Sequence, residues 1–384
     1  PSHASLQNFA LTLQKGIEEY TYILSGDLSK KEINATLEKI KRGGHAFVLL
    51  GTPHFLSIID AGFGTIILEN EATPHYKTKE RPYFDIAMFA QFLSDEAEIR
   101  LILADSLLSV KTLYLKEKNL YLPIAPLKYR LLKENSTRVV DMRKLKGNQV
   151  DSVFSQALID QISNALSEKE RLYLFVLRKG ASPTTVCADC GHELACKDCA
   201  APLVLYHPPV YLCHRCFKRY PADTRCGSCR SWRLNPIGIG IEKVEGILRK
   251  RFPEASIYKI ESGIVTTDKK AKDIMTKFME SRSSILLGTE LGLNYLNQKV
   301  PYAAVVSLDG LFALPDYSIS EKIFSILLRL SHKAEKSFLI QTRKPDEKIF
   351  DYFTRGNLLD FYRAEIENRK KFNYPPVKIL IKIS

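Results

Sequence analysis

Eight cysteines, all within residues 187–229, constrain this chain more than any other feature. They fall in four C-x-x-C pairs: CADC (Cys187, Cys190), CKDC (Cys196, Cys199), CHRC (Cys213, Cys216) and CGSC (Cys226, Cys229). Such a pair wraps a turn around one tetrahedral metal, and four thiolates close a structural zinc site. Eight thiols therefore hold two Zn2+ with none left over. The competing use of eight cysteines is a disulfide framework, which belongs to short secreted chains. This chain has 384 residues, shows no signal-peptide pattern and carries no cysteine outside the module, so zinc is the expected ligand.

The spacing also predicts which pairs share a metal. Between the second and third pairs lies APLVLYHPPVYL, two apolar runs around Pro208-Pro209. Two short strands folded back on each other would bring Cys196 and Cys199 beside Cys213 and Cys216. The outer pairs, Cys187/Cys190 and Cys226/Cys229, are then left to share the other ion, giving nested sites. His192, His207 and His214 lie inside the module, but eight thiolates already fill two metals, so these histidines are expected to be structural.

The chain is 45% hydrophobic, enough for one large or two moderate cores. No run approaches the roughly 18 apolar residues of a membrane span. Reduced, metal-bound cysteines fit a cytoplasmic protein. Pro1 in place of Met, and VKILIKIS stopping in what reads as a strand, are expected of a chain cut through folded domains. The net charge is +13, and from Arg171 to Phe252 there are 14 Lys and Arg against 6 Asp and Glu. More than half of the excess thus lies in and around the cysteine module, the footprint expected for a phosphate backbone. A merely solvated surface is the plainer alternative. Candidate DNA contacts are Arg178, Lys179, Arg215, Lys218, Arg219, Arg230 and the only tryptophan, Trp232. Tyr206, Tyr211, Phe217 and Tyr220 interleave with them and are expected mostly to cover the metal sites.

In chain order, residues 1–45 read as helices broken at SGDLSKKE, with Ser29 and Glu32 at capping-box spacing. Apolar strands are expected at 45–52, 63–71 and 99–105, with a helix at 85–93. RVVDMRK (138–144) reads as a linker or the entry to a second domain, followed by a helix at 153–166. A second set of strands follows at 171–177, 256–260, 283–289, 302–309 and 337–342, with helices at 242–250, 267–280 and 320–333. Alternating helices and continuously apolar strands predict parallel sheets covered on both faces. The cysteine module interrupts the second set, so its flanks are expected to meet only if the host sheet brings them together. Residues 350–376 read as a charged amphipathic helical stretch ending at Pro375-Pro376. Two motif-like segments are set aside: Asp95-Glu96-Ala97-Glu98 ends a helix rather than a strand, and GIGIE (238–242) reads as a turn.

Paired C-x-x-C motifs followed by NPIGIGIEKVEGILRKRFPEASIYKI, ILLGTELG, LDGLFALPDYSISEKIF, FLIQT and RKKFNYPP run in an order that resembles the PriA family of bacterial replication-restart helicases. SGDLSKKE, Gly51-Thr52, TIILENEATPHYK and VVDMRK also fall where that family has landmarks, so the resemblance covers nearly the whole chain. It implies two RecA-like, superfamily 2 type parallel-sheet domains. The second carries an inserted two-zinc, eight-cysteine module with the same outer and inner pairing. The expected boundaries are a partial first domain over 1–135, a second over 136–180 and 236–345, the insertion at 181–235, and the start of a C-terminal domain at 346–384. Forks, single-stranded DNA, primosome proteins and single-strand-binding proteins are the implied partners, and a monomer in the bacterial cytoplasm, at the nucleoid, is the implied state.

The departures from that pattern matter equally. The phosphate-binding G-x-x-x-x-G-K-[ST] is absent, since none of the 19 glycines precedes a lysine. The acidic box aligns with Glu69-Asn70-Glu71-Ala72, leaving Glu69 and Glu71 as the degenerate catalytic candidates. ADSLLS (104–109) replaces a Gly-Ser-Ala-Thr type turn, and GTELGLN (288–294) replaces a Gly-Thr-Gln with a Lys-Gly pair. The arginine motif aligns with RLSHKAEK (329–336), with Lys333 and Lys336 at arginine positions, and a lysine is a poor mimic of the planar guanidinium fork. Parts of one catalytic constellation act as a unit, so several losses predict a motor without turnover. Two alternatives stay open: an active ATP- and Mg2+-dependent 3′→5′ helicase whose phosphate loop lies upstream, and a zinc-ribbon nucleic-acid adaptor.

Overall fold

The computed structural model describes residues 6, 9–10, 12–13, 16–60, 62–78, 84–131, 135–143, 153–177, 184–199, 202–206, 210–213, 216, 218–221, 223–237, 239–265, 267–314 and 316–380. The chain divides into two compact units, Pro1–Lys118 and Asn119–Ser384.

Unit 1 is built from β1 (Thr21–Leu24), α1 (Lys30–Arg42), β2 (Val48–Gly51), β3 (Thr65–Glu69), α2 (Ile86–Glu96), β4 (Arg100–Ala104) and α3 (Val110–Glu117). The α1 capping box forms as its spacing predicts: Ser29 Oγ accepts the Glu32 N–H and Glu32 Oε2 accepts the Ser29 N–H. Asp85 and Ser109 cap α2 and α3 with a side-chain oxygen alone, accepting the N–H groups of Met88 and Thr112. TYIL, read from sequence as helical, is instead a strand. β1 pairs in parallel with β2, and Leu24 is wholly buried. Aromatic and β-branched residues favour that outcome once a partner strand exists. β3 pairs in parallel with β4. The expectation of two covered faces fails in β3, where Ile66 and Leu68 enter the core and Ile67 is 62% exposed.

Unit 2 contains a six-stranded parallel sheet in the order β12-β13-β6-β14-β15-β5. In chain order its core runs β5 (Ser136–Asp141), α4 (Gln156–Ser167) and β6 (Arg171–Val176). After the insertion come α5 (Ile241–Arg251), β12 (Ser256–Ile260), α6 (Asp268–Glu280), β13 (Ser284–Gly288), α7 (Glu290–Tyr295), β14 (Val300–Ser307), α8 (Ile319–Lys333) and β15 (Ala334–Thr342). The central β6 is buried from Leu172 to Val176, the continuous apolar run of a doubly covered parallel strand. Of the two readings of RVVDMRK, domain entry fits and linker does not: its first four residues belong to β5, the sheet's edge strand, paired with β15 from Ser136↔Ser337 to Asp141↔Thr342. Its mixed charges disguise it, because an edge strand can leave charged side chains in water.

The insertion holds β7 (Thr184–Cys187), β8 (Leu203–Tyr206), β9 (Val210–Cys213), β10 (Arg219–Pro221) and β11 (Leu234–Ile237). β8 and β9 form the antiparallel pair expected around Pro208-Pro209, with β10 added to β9. The flanks meet directly: β7 and β11 pair antiparallel, from Cys187↔Leu234 to Thr184↔Ile237.

The predicted C-terminal helical stretch is two helices, α9 (Lys348–Arg355) and α10 (Leu358–Phe372), broken at Gly356. Gly356 has φ +67°, and a Cβ there would lie 2.7 Å from the Leu131 carbonyl oxygen, so only glycine fits. Residues 377–380 are turn and irregular backbone rather than the strand expected of VKILIKIS, whose last four residues lie outside the described ones.

Candidate metal centres

The eight thiols gather into two groups, Cys187/Cys190/Cys226/Cys229 and Cys196/Cys199/Cys213/Cys216, each with its sulfur atoms within 4.8 Å of one another. The grouping is the nested one predicted from spacing. In the outer group Cys187 and Cys229 Sγ are 3.4 Å apart, and Cys190 and Cys226 are 3.6 Å apart. In the inner group Cys196–Cys216 is 3.5 Å and Cys199–Cys213 is 3.4 Å. These separations are far beyond a disulfide bond of about 2.05 Å. They are slightly under the roughly 3.8 Å that four thiolates take when each lies about 2.3 Å from one tetrahedral zinc. The donor set fits zinc, with sulfur alone at both sites.

Local backbone explains why the thiols converge. Three of the four pairs close with the same hydrogen bond, from the first cysteine's N–H to the carbonyl five residues on: Cys187 to His192, Cys213 to Lys218 and Cys226 to Ser231, all at 2.9 Å. Both outer knuckles then turn through a left-handed residue, Gly191 at φ +73° and Arg230 at φ +60°. Backbone N–H groups of Ser228 and Cys229 point at Cys226 Sγ (3.4 and 3.5 Å). Burial pushes the Cys187 thiol up, but N–H groups of Cys190 and Asp189 and the Cys229 thiol outweigh it and bring Cys187 down to about 7. Burial also raises Cys196, and the Tyr220 hydroxyl with the Asp198 and Cys199 N–H groups brings it down to about 6. Such groups favour the thiolate, the form that binds metal.

Tyr220 is the residue that sequence reading undervalued. Its buried hydroxyl donates to Cys196 Sγ (3.1 Å) and accepts the Lys197 N–H (3.0 Å), so it orients the inner site as well as covering it. Its position four residues beyond Cys216 was the available signal. Tyr211, Leu194 and Leu203 complete the small core between the strands. His192 contributes its backbone carbonyl and is exposed. His207 and His214 lie outside the described residues, as do the side chain of Tyr206 and all of Phe217.

The basic candidates separate into two faces. Lys218 pairs with Asp198 (2.7 Å) beside the inner site, next to exposed Arg219. Beside the outer site, Trp232 is 72% exposed, with the Arg233 guanidinium 5.9 Å from its ring and Arg230 exposed nearby in sequence. Arg233 is a basic residue that the sequence reading does not single out. Arg178, Lys179 and Arg215 fall outside the described residues. A half-buried ion pair, Lys344 Nζ to Glu193 at 3.3 Å, fastens the segment between the two metal groups to the residues just after β15.

The degenerate motor residues can also be placed. Glu69 ends β3, and Asn70 follows at φ +53° with its amide on the Glu69 carboxylate. Glu71 accepts the Ser109 N–H, while Asp105, just after β4, accepts the N–H groups of Ala72 and Leu107 (both 3.2 Å). Burial raises the Glu71 carboxyl to about 6, against opposing hydrogen bonds from Ser109 and Thr112. A carboxyl raised above its unfolded value favours folding while protonated, so its contribution is lost as pH rises through about 6. Glu71→Gln is expected to stabilise unit 1 by about 1–2 kcal/mol at pH 7 and to flatten the stability change between about pH 4.5 and 6, read by denaturant titration. Lys336 lies near the start of β15, bonded to Glu168 and Glu170 (3.0 and 3.5 Å). Lys333 ends α8 half-buried, and burial with Arg329 and Lys299 nearby lowers its pKa. Asp95 and Glu96 close α2 and both are exposed, so this segment ends a helix rather than a strand, as expected. Of GIGIE, Gly238 is outside the described residues and Gly240 is the N-cap of α5.

Taken together, fold and site define a mixed α/β protein whose six-stranded parallel sheet carries an inserted module with two four-cysteine groups. Three curated relatives, each a replication restart protein PriA, match it along most of its length. The protein of Borreliella burgdorferi is 26% identical over 386 residues, covering 98% of this chain and 56% of the relative. That of Thermotoga maritima is 27% identical, covering 89% of this chain and 46% of its own, and that of Bacillus subtilis is 27% identical, covering 82% and 40%. The chain is thus similar, at low identity, to replication restart proteins PriA along most of its length. It spans about half the length of the curated relatives it matches. No family model matches it. Among the described residues, no helix is long and apolar enough to cross a membrane.

Proposed function

We propose that this chain is the zinc-stapled, helicase-like core of a replication-restart protein. It binds branched and single-stranded DNA, docks primosome and single-strand-binding proteins, and does not turn over ATP. The observation that carries this reading is a contrast along one chain. Both four-cysteine groups are complete, while the 69–72, 104–109 and 329–336 segments depart from the motor pattern. The similarity to replication restart proteins over nearly the whole chain supports the restart role. In this reading two Zn2+ hold the module rigid, and Lys218, Arg219, Arg230 and Trp232, with Arg178, Lys179 and Arg215, contact DNA. The protein acts as a monomer in the bacterial cytoplasm, at the nucleoid. Residues 1–135, 136–180 with 236–345, 181–235, and 346–384 serve as the first helicase-like domain, the second, the zinc insertion and the start of a C-terminal domain.

The second reading is an active 3′→5′ DNA helicase using ATP and Mg2+. The carboxylates of Glu69, Glu71 and Asp105 beside the ends of β3 and β4 favour it, because a strand-end carboxylate is the usual magnesium partner. One experiment on the full-length gene product separates the two: fork-DNA binding measured alongside DNA-stimulated ATP hydrolysis. Salt-sensitive binding without hydrolysis is expected. Robust hydrolysis that Glu69→Ala abolishes would overturn the inactive-motor reading. Charge reversal at Arg215, Lys218 and Arg219 should weaken fork binding, and unchanged affinity would sink the zinc-platform assignment.

A further inference from the structure

Far along the sequence from the cysteines, α10 ends on a turn that builds an unusual surface. Asn373 adopts the left-handed conformation (φ 54°), and the Tyr374 N–H donates to the Arg369 carbonyl at 2.9 Å. This is a Schellman-type cap, and asparagine enters the left-handed region more readily than most non-glycine residues. The turn sets the Phe372 and Tyr374 rings side by side, with centroids 6.0 Å apart. Tyr374 stacks on Tyr317 at 5.7 Å and 26°, and Tyr317 packs against the buried Arg369 guanidinium at 5.2 Å. Three aromatic rings thus run outward from a salt-bridged arginine.

The outer end of that stack is open. Phe372 is 52% exposed and Tyr374 37%. Lys371 Nζ stands 5.4 Å from the Phe372 ring, and Lys370, Lys371 and Lys378 are all exposed. Against these three lysines, Glu367 is the only exposed carboxylate within 367–378. Arg369 adds nothing to the surface charge, being paired with Glu321 and Glu365.

Pre-ordered aromatic faces flanked by cations match one ligand better than others. Every nucleobase has a π-face, and phosphates accompany it at a spacing that flexible lysines can follow. A duplex hides its base faces, and an apolar protein surface would leave three ammonium groups desolvated. We propose that residues 370–378 form a stacking platform for single-stranded nucleic acid, with bases on Phe372 and Tyr374 and phosphates on Lys370, Lys371 and Lys378. The platform shares its ligand class with the function proposed above but uses none of the same residues, so either can fail alone.

The test is fluorescence anisotropy of a labelled oligo-dT strand with the full-length protein. Phe372→Ala with Tyr374→Ala should weaken binding roughly fivefold or more, the lower end of one base's stacking. Phe372→Trp should retain it. Lys370→Glu with Lys371→Glu should flatten the dependence of affinity on salt. Trp232→Ala, measured in parallel, reports on the metal module alone. Oligo-dT affinity and salt slope that match the parent in both double variants would overturn the platform. So would a photocrosslinker at position 372 that labels only protein, since another segment or partner would then occupy the surface.

Discussion

Metal removal is expected to unfold residues 184–237 while leaving the six-stranded sheet standing. The module has only a small core of its own around Leu194, Leu203, Tyr211 and Tyr220, far too little to order its strands unaided. Structural zinc sites release about 10–16 kcal/mol on binding, so chelation takes away more than the module's whole stability. Hydrogen exchange should show the β7–β11 and β8–β9 amides losing protection in a strong chelator, with those of β6 and β14 unchanged. Metal analysis should find two zinc ions per chain. Double serine variants at Cys187/Cys190 and at Cys226/Cys229 should each lose one ion, and cobalt spectra should show that it is the same ion. If instead Cys187/Cys190 and Cys196/Cys199 variants empty one common site, the nested arrangement is wrong.

The second large effect is expected at Arg369, which is 3% exposed. Its Nη2 donates to Glu321 at 2.7 Å, its Nε to Glu365 at 3.4 Å and its Nη1 to the Pro375 carbonyl at 3.3 Å. It thus ties α10 to α8 and to the following turn. Arg369→Met should cost about 3–5 kcal/mol, because the buried Glu365 and the partly buried Glu321 lose their shared cation. Burial already raises the Glu365 carboxyl, with Arg369 pulling it down. Without the arginine that rise grows, so the variant should regain part of its stability as pH falls and the carboxyls protonate. Adding Glu321→Gln and Glu365→Gln should recover most of the loss at pH 7. Denaturant midpoints at two pH values check all three statements, and an Arg369→Met midpoint equal to the parent's would refute the clamp. The same arginine carries Tyr317, so the loss should also loosen the aromatic stack.

Sequence and structure divide the explanation unevenly. Strands whose burial is two-sided, such as β6, and helices with side-chain caps, such as α1, are readable because each is specified by its own few residues. β1 and β5 are not. TYIL and RVVD become strands through a parallel partner distant in the chain, Val48–Gly51 for one and β15 for the other. Nothing local distinguishes them from helix or linker. Arg369 and the Phe372–Tyr374–Tyr317 stack are equally hidden, since Glu321 and Tyr317 lie about fifty residues away in the chain.

The metal centres show the same division most sharply. Four C-x-x-C pairs with their spacing determined the number of sites, the donor atoms and the nested pairing, because two thiols three positions apart must share a metal and the β8–β9 reversal joins the inner pairs. Only the tertiary structure decided how the outer pairs meet, which is through the β7–β11 ladder. It alone placed Tyr220 on Cys196 and Glu193 on Lys344. Ligand spacing is a local property of the chain. The contacts that orient a site and fasten it to its domain depend on which distant strands pair.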